Sequence, residues 1–257
     1  MGLRLLTGNA RLIPPAKPGC RHFGVPNGGP FDGFLFEIAR VLNDGVWEVA
    51  PGQTTFIAEA DGQVAILRPE SGEATQGSRF FPVRAGDRVT LAVGWGTAAV
   101  GARAYVSFCG GAANGETRLA LPVRSEGSLR AVAFSGPMEM HQRCVLPQSD
   151  RRGVRLSAHG NPAPADGRPS QPTFFGQIQQ TPDGGAIILG PDGPTIGGYP
   201  SPGWIIRADL DRVAQLLPGD QVSVEWVTRK TAIQLWQARQ DLLDRFLKEL
   251  RVTLELQ

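Results

Sequence analysis

The feature that most constrains this chain is the way its apolar residues are punctuated. Short runs such as QVAILRP, RVTLAV, ARAYVSFC, LRAVAF, GAIILG, GWIIRA and QVSVEWV recur along its length, each bounded by turn-forming residues. Runs of that length cross a sheet but cannot build a long helix, and few helical stretches separate them. Glycine and proline number 33 and 21 of 257 residues, which supplies the many turns such a layout needs. The expected fold class is therefore mainly β, a barrel or sandwich rather than an alternating βαβ arrangement.

Two segments break the pattern with helical periodicity. In FDGFLFEIARVLND the residues Phe31, Phe34, Leu35, Ile38, Val41 and Leu42 recur on one face. Near the C-terminus, Ile233, Trp236, Leu243, Phe246, Leu247 and Leu250 mark a longer amphipathic helix that packs either on the protein's own core or on another chain. An internal echo joins the two parts of the sequence: AGDRVTL at 85–91 and PGDQVSV at 218–224 share Gly, Asp and Val in register. Each reads as a glycine turn opening a strand, which implies two barrel-like halves of related design.

Charge excludes several function classes. A formal net charge of +2, with charges interspersed, provides no basic surface for nucleic acid and no polybasic segment for a membrane. The N-terminal stretch MGLRLLTGNARLIPP lacks the layout of a secretion signal, and no long apolar run occurs, so the expected location is cytoplasmic. Cys20, Cys109 and Cys144 contain no CxxC and the three histidines no paired ligand spacing; no metal site is expected.

Chemistry is concentrated in polar loops. PQSDRRG at 147–153 gathers Gln148, Ser149, Asp150, Arg151 and Arg152 in one turn, where an Arg fork suits a carboxylate, carbamate or phosphate and Asp150 either accepts a proton or holds the Arg. In RHFGVPNGGPFDG at 21–33, His22 is a candidate acid or base, while Asp32 sits where it would cap the following helix. PTIGGYPSPGW at 194–204 places Tyr199, one of two tyrosines, in a loop shaped by Gly197, Gly198 and three prolines. Alone, that loop reads as a turn whose tyrosine covers apolar surface. CGGAANG at 109–115 lacks the Lys and Ser/Thr of a phosphate loop and reads as a turn.

Taken in order, RHFGVPNGGPFD, ARAYVSFCGGA, PQSDRRGVRL, TPDGGAIILGPDGPTIGGYP and IIRADLDRVAQLLPGDQV resemble the allophanate hydrolase subunit 2 family, which includes the C-type subunit of 5-oxoprolinase and biotin-dependent carboxyltransferase subunits. The resemblance implies two cyclophilin-like β-barrel halves with a few helices, over residues 1–122 and 123–228, followed by a C-terminal helix over 229–257. It implies a subunit 1 type partner (allophanate hydrolase subunit 1 or the B-type subunit of 5-oxoprolinase), a small amide or lactam substrate such as urea or 5-oxoproline, and ATP or biotin acting through the complex. Residue chemistry placed on these motifs makes Arg151, Asp150 and His22 the catalytic candidates, with Gln148, Ser149, Tyr199, Gly197, Gly198 and Asp32 as substrate-binding residues. The pattern also departs from the family: Ile13 and Pro14 stand where it has Gln-Asp, Lys17 where it has Arg, Gly28 and Gly33 where it has Ser and Arg, and Gly193, Pro194 and Ile196 replace polar residues before the GGYP loop. The alternative expectation is accordingly a non-catalytic subunit that binds and modulates its partner.

Overall fold

The computed structural model describes residues 2–41, 45–69, 77–94, 101–110, 115–122, 127–134, 138–159 and 169–255. Every apolar run quoted above forms a strand, and the fold is mainly β. The chain divides into two compact units, one formed by Met1–Pro14, Asp32–Arg124 and Asp241–Gln257, the other by Pro15–Phe31 and Ser125–Gln240.

The first unit contains β1 (Leu3–Thr7), β2 (Ala10–Ile13), β3 (Val46–Val49), β4 (Gly52–Ala58), β5 (Gly62–Leu67), β6 (Ser78–Val83), β7 (Arg88–Val93), β8 (Ala104–Gly110) and β9 (Thr117–Leu119). A three-stranded sheet runs β1-β4-β7 and a six-stranded sheet runs β2-β3-β8-β5-β6-β9, all antiparallel. Alternation along the strands sorts their side chains. Val64 and Ile66 of β5 enter a core with Phe56, Val89 and Leu91 of the smaller sheet, while Ala65 and Leu67 enter a second core with helix α1 (Gly33–Arg40). A strand buried on both faces reads as continuous apolar sequence, as GQVAIL does. Helix α1 begins at Asp32, whose fully buried carboxylate accepts the Leu35 amide at 3.0 Å. The Asp32 amide donates to the Tyr105 hydroxyl, which in turn donates to Glu48 at 2.6 Å, and Arg103 pairs with Glu48.

The second unit contains β10 (Leu129–Ala133), β11 (Arg143–Cys144), β12 (Gly153–Leu156), β13 (Gln171–Pro172), β14 (Gln177–Gln180), β15 (Ala186–Leu189), β16 (Ile196–Gly197), β17 (Gly203–Ile205), β18 (Gln221–Val222) and β19 (Val224–Trp226). Its main sheet has the order β12-β15-β14-β17-β10-β19, antiparallel except for the parallel β10–β19 pair. Two short ladders, β11-β18 and β13-β16, flank it, and helix α2 (Leu210–Val213) follows a 3-10 turn at Arg207–Asp209. Val154, Leu156, Ile178, Ala186, Ile188 and Ile205 turn one face of the sheet into the core. Asp209, fully buried, satisfies the amide and guanidinium of Arg130 and pairs with Arg212.

The internal echo is a shared turn geometry. In the first unit the Arg84 amide donates to Asp87 Oδ2 at 2.8 Å and Gly86 has φ +95°; in the second the Leu217 amide donates to Asp220 Oδ2 at 2.8 Å and Gly219 has φ +98°. Glycine supplies the left-handed residue and aspartate closes the turn ahead of a strand in both.

The long helix α3 spans Arg229–Glu255. Of the two placements open from its sequence, the protein's own core receives most of the stripe: Leu243 and Leu250 are buried in the first unit's helical core with Phe246 and Leu247 against them. Earlier in the helix, Arg207 lies over the Trp236 ring at 4.4 Å, Arg239 pairs with Asp211, and Ile233 stays exposed. The linker-like stretch 157–172 includes 160–168, the CGGAANG turn includes 111–114, and the end of the first helical segment includes Leu42; these residues lie outside the described ones. No helix among the described residues is long and apolar enough to cross a membrane.

Candidate functional site

The second unit's sheet has one face in the core, and the other floors a cleft of about 400 Å³. Its lining is Asp150, Arg152, Gly153, Arg155, Gln179, Ile187, Leu189, Asp192, Pro194 and Tyr199. Strand register explains this set. Arg155 of β12 and Gln179 of β14 both pair with Ile187 of β15, so the three form one row across adjacent strands, and Gly153 faces Leu189 in the next row on the same side. A Cβ at Gly153 would meet the Ile187 side chain at 2.6 Å, so glycine leaves Ile187 room to complete the apolar floor.

The PQSDRRG turn forms one rim. Asp150 Oδ1 accepts the Arg152 amide and Oδ2 the Arg152 guanidinium, both at 2.8 Å. Partial burial alone would raise the Asp150 pKa, but hydrogen bonds from Arg152 and its charge outweigh burial and hold the carboxyl below its usual range. The partner of Asp150 is thus Arg152 rather than Arg151. Arg151 makes a bidentate pair with Asp192, at 2.9 and 3.0 Å, and donates to the Gly29 carbonyl at 2.7 Å, so its fork ties three segments of the second unit together. Ser149 closes its own turn on the Arg155 backbone, and Gln148 is exposed beside it.

The opposite rim is the GGYP loop. Tyr199 is half-exposed and lines the cleft; Gly198 is exposed next to it. Gly197 pairs with Gln171 in β16, and a Cβ there would fall 2.6 Å from Gln179 Nε2. The glycine thus lets the loop backbone lie on the Gln179 amide. Arg21 braces the same loop, donating to the carbonyls of Thr173 and Pro194, and Thr173 Oγ1 also donates to Pro194 O. His22, beside Arg21, is exposed and stacks on Phe23 with ring centroids 3.8 Å apart. Asp32 belongs to the first unit, where its carboxylate caps α1.

Of the sequence-predicted residues, the structure brings Asp150 and Tyr199 to the cleft lining and sets Arg151, Ser149 and Gly197 directly behind it. Arg155 and Gln179 are the residues sequence reasoning missed. Their signal is a polar side chain alternating with core residues, as in G-V-R-L and Q-I-Q-Q. Arg155 makes no side-chain hydrogen bond or ion pair among the described residues, and Gln179, as a residue 4% exposed, makes no side-chain hydrogen bond among them. The described residues contain no group of three His, Cys, Asp or Glu that could hold a metal ion.

Comparison with known proteins places this cleft in a matched region. Residues 141–226 match the family model "Carboxyltransferase domain, subdomain A and B". A 70-residue stretch is 39% identical to the C-type subunit of Haemophilus influenzae 5-oxoprolinase, covering 27% of this chain and 23% of that protein. Among solved structures, Kluyveromyces lactis urea carboxylase aligns with a TM-score of 0.74 at 20% identity over 95% of this chain and 29% of its own. K. lactis urea amidolyase gives 0.73 at 20% identity over 95% of this chain and 20% of its own. The chain thus spans less than a third of each of these proteins, and the structural likeness establishes the shared fold. By its matched carboxyltransferase segment and its identity to the 5-oxoprolinase protein, each over part of its length, the chain is similar to the family of allophanate hydrolase subunit 2 and the C-type subunit of 5-oxoprolinase.

Proposed function

We propose that this chain is a carboxyltransferase-like subunit whose second-unit cleft holds a small amide or lactam, such as 5-oxoproline or urea, in a complex with a subunit 1 type partner. The observation that carries this reading is the cleft itself: a built floor of Ile187 and Leu189, with Arg155, Gln179, Tyr199 and the Asp150–Arg152 pair around it, lying inside the segment that matches the carboxyltransferase family. An apolar floor with a few convergent polar groups suits a small planar molecule. Gln179 offers both a donor and an acceptor to an amide, and Tyr199 a hydroxyl. Arg151, taken by Asp192 and Gly29, holds the rim in place and positions the groups that touch substrate.

ATP or biotin enters through the complex. The lining balances Arg152 and Arg155 against Asp150 and Asp192, a set suited to a small polar ring and unsuited to a triphosphate, so ATP is assigned to another subunit. A ureido ring of biotin type fits the same donor and acceptor set at Gln179, and it would supply carboxyl transfer when bound.

The test is reconstitution with the subunit 1 type homologue and its companion subunits. ATP-dependent ring opening of 5-oxoproline, or biotin-dependent carboxylation of urea, is expected, with Tyr199→Phe raising KM several-fold. A stable complex with no turnover of any small amide would instead favour a non-catalytic, partner-modulating role. The observation favouring that second reading is the exposure of Phe23, Val25, Phe174 and Ile196, apolar side chains on segments beside the cleft's rim.

A further inference from the structure

Arg155 and Gln179 sit on either side of Ile187 in one row of the sheet, and both side chains line the cleft. The other charged groups of the lining already have partners: Asp150 has Arg152, and Asp192 has Arg151. Arg155 is left as the cation of the lining whose side chain makes no hydrogen bond or ion pair among the described residues; the Asp183 carboxyl, held below its usual range chiefly by hydrogen bonds from Thr181 and Gly185, feels the Arg155 charge only weakly. Gln179 is a buried residue whose amide makes no side-chain hydrogen bond among the described residues and lies close to the Gly197 backbone. An amide that opens on a cleft and has no partner in the protein offers a ligand both a donor and an acceptor. A guanidinium with no carboxylate within ion-pair reach is matched by a carboxylate brought in from outside.

We infer that this row is the specificity determinant of the cleft: Arg155 takes the carboxylate of the ligand and Gln179 its amide, with the carbon skeleton between them on Ile187. The pair selects a small amide or lactam that carries a carboxylate over a neutral one. This rests on the reading of the cleft as a small-amide site, and it decides between the two substrate types left open by that reading. Arg155 and Gln179 act by binding; no bond-making role is assigned to either.

The experiment is calorimetric titration of the full-length chain, alone and in the reconstituted complex, with three probes: 5-oxoproline, 2-pyrrolidinone (the same lactam without the carboxylate) and urea. The carboxylated lactam is expected to bind at least ~10-fold more tightly than either neutral probe, the scale of a charge-assisted hydrogen bond. Arg155→Gln should abolish that preference while leaving 2-pyrrolidinone binding unchanged, and Arg155→Lys should restore part of it. Gln179→Leu should weaken both lactams alike. Melting temperatures of the variants report folding; Arg155 is exposed, so R155Q should melt as the parent does. Equal or tighter binding of a neutral probe, equal loss of both lactams in R155Q, or no binding of any probe in either preparation would overturn the inference. A complex that binds with the expected preference yet turns nothing over would leave this assignment standing and remove the catalytic reading alone.

Discussion

Single residues set the geometry of the cleft. Gly197 has no room for a Cβ, because Gln179 Nε2 would lie 2.6 Å away and Thr173 Cγ2 3.2 Å away. The nearer obstacle is the end of a flexible side chain, so Gly197→Ala should cost under ~1 kcal/mol of stability while displacing the Gln179 amide. The expected outcome is an unchanged melting temperature with ligand affinity reduced several-fold, measured by titration, since a misplaced positioning group loses binding before it loses fold. Asp150 gives a pH prediction. Its native pKa lies below the ordinary carboxylate value, so the Asp150–Arg152 contribution is complete above ~4 and is lost only as pH falls through the lower native value. An NMR titration of the Asp150 carboxyl should therefore find a depressed midpoint and no change between pH 5 and 8. A midpoint at or above the ordinary value would contradict the pairing. Arg143 works differently: 1% exposed, it has the carbonyls of Glu139, Ser157, His159 and Gly184 as acceptors, and burial lowers its pKa. It knots backbone segments together.

At the scale of elements, burial on two faces explains the sequence of the central strands. GAIIL is apolar throughout because Ala186 and Ile188 fill the core while Ile187 and Leu189 floor the cleft. Its neighbours β12 and β14 alternate, with Val154, Leu156 and Ile178 inward and Arg155 and Gln179 on the cleft side. Alternation makes each polar residue visible as facing away from the core. It cannot show which of them share a wall, because that depends on β15 pairing on its other side with β12, a strand that is not its neighbour in sequence. Helix α3 yields the element-scale prediction. Leu250, 4% exposed, packs in the helical core of the first unit, so Leu250→Ala should destabilise the fold by ~2–4 kcal/mol in chemical denaturation. A loss near zero would mean that the end of the helix is free of that core.

For the whole molecule, local sequence carried the class of fold and much of its design. Strand-length apolar runs, the aspartate cap of α1 and the twin glycine–aspartate turns are all set by interactions within a few residues, so they were legible without the structure. The grouping of Pro15–Phe31 with the second unit was not: it depends on the Gly28 amide reaching the Pro191 carbonyl and on Arg151 reaching Gly29. The site was half legible for the same reason. Asp150 and Tyr199 stand in loops whose composition announces them, and both reach the cleft. The assignment of Arg151 as a free fork depended on what faces it, and Asp192 does. The sequence by itself determined the β architecture and the turns, because these follow from backbone geometry and the period of apolar residues. Only the tertiary structure decided that Arg155 and Gln179 stand across Ile187, because sheet order and register bring together side chains that no local interaction relates.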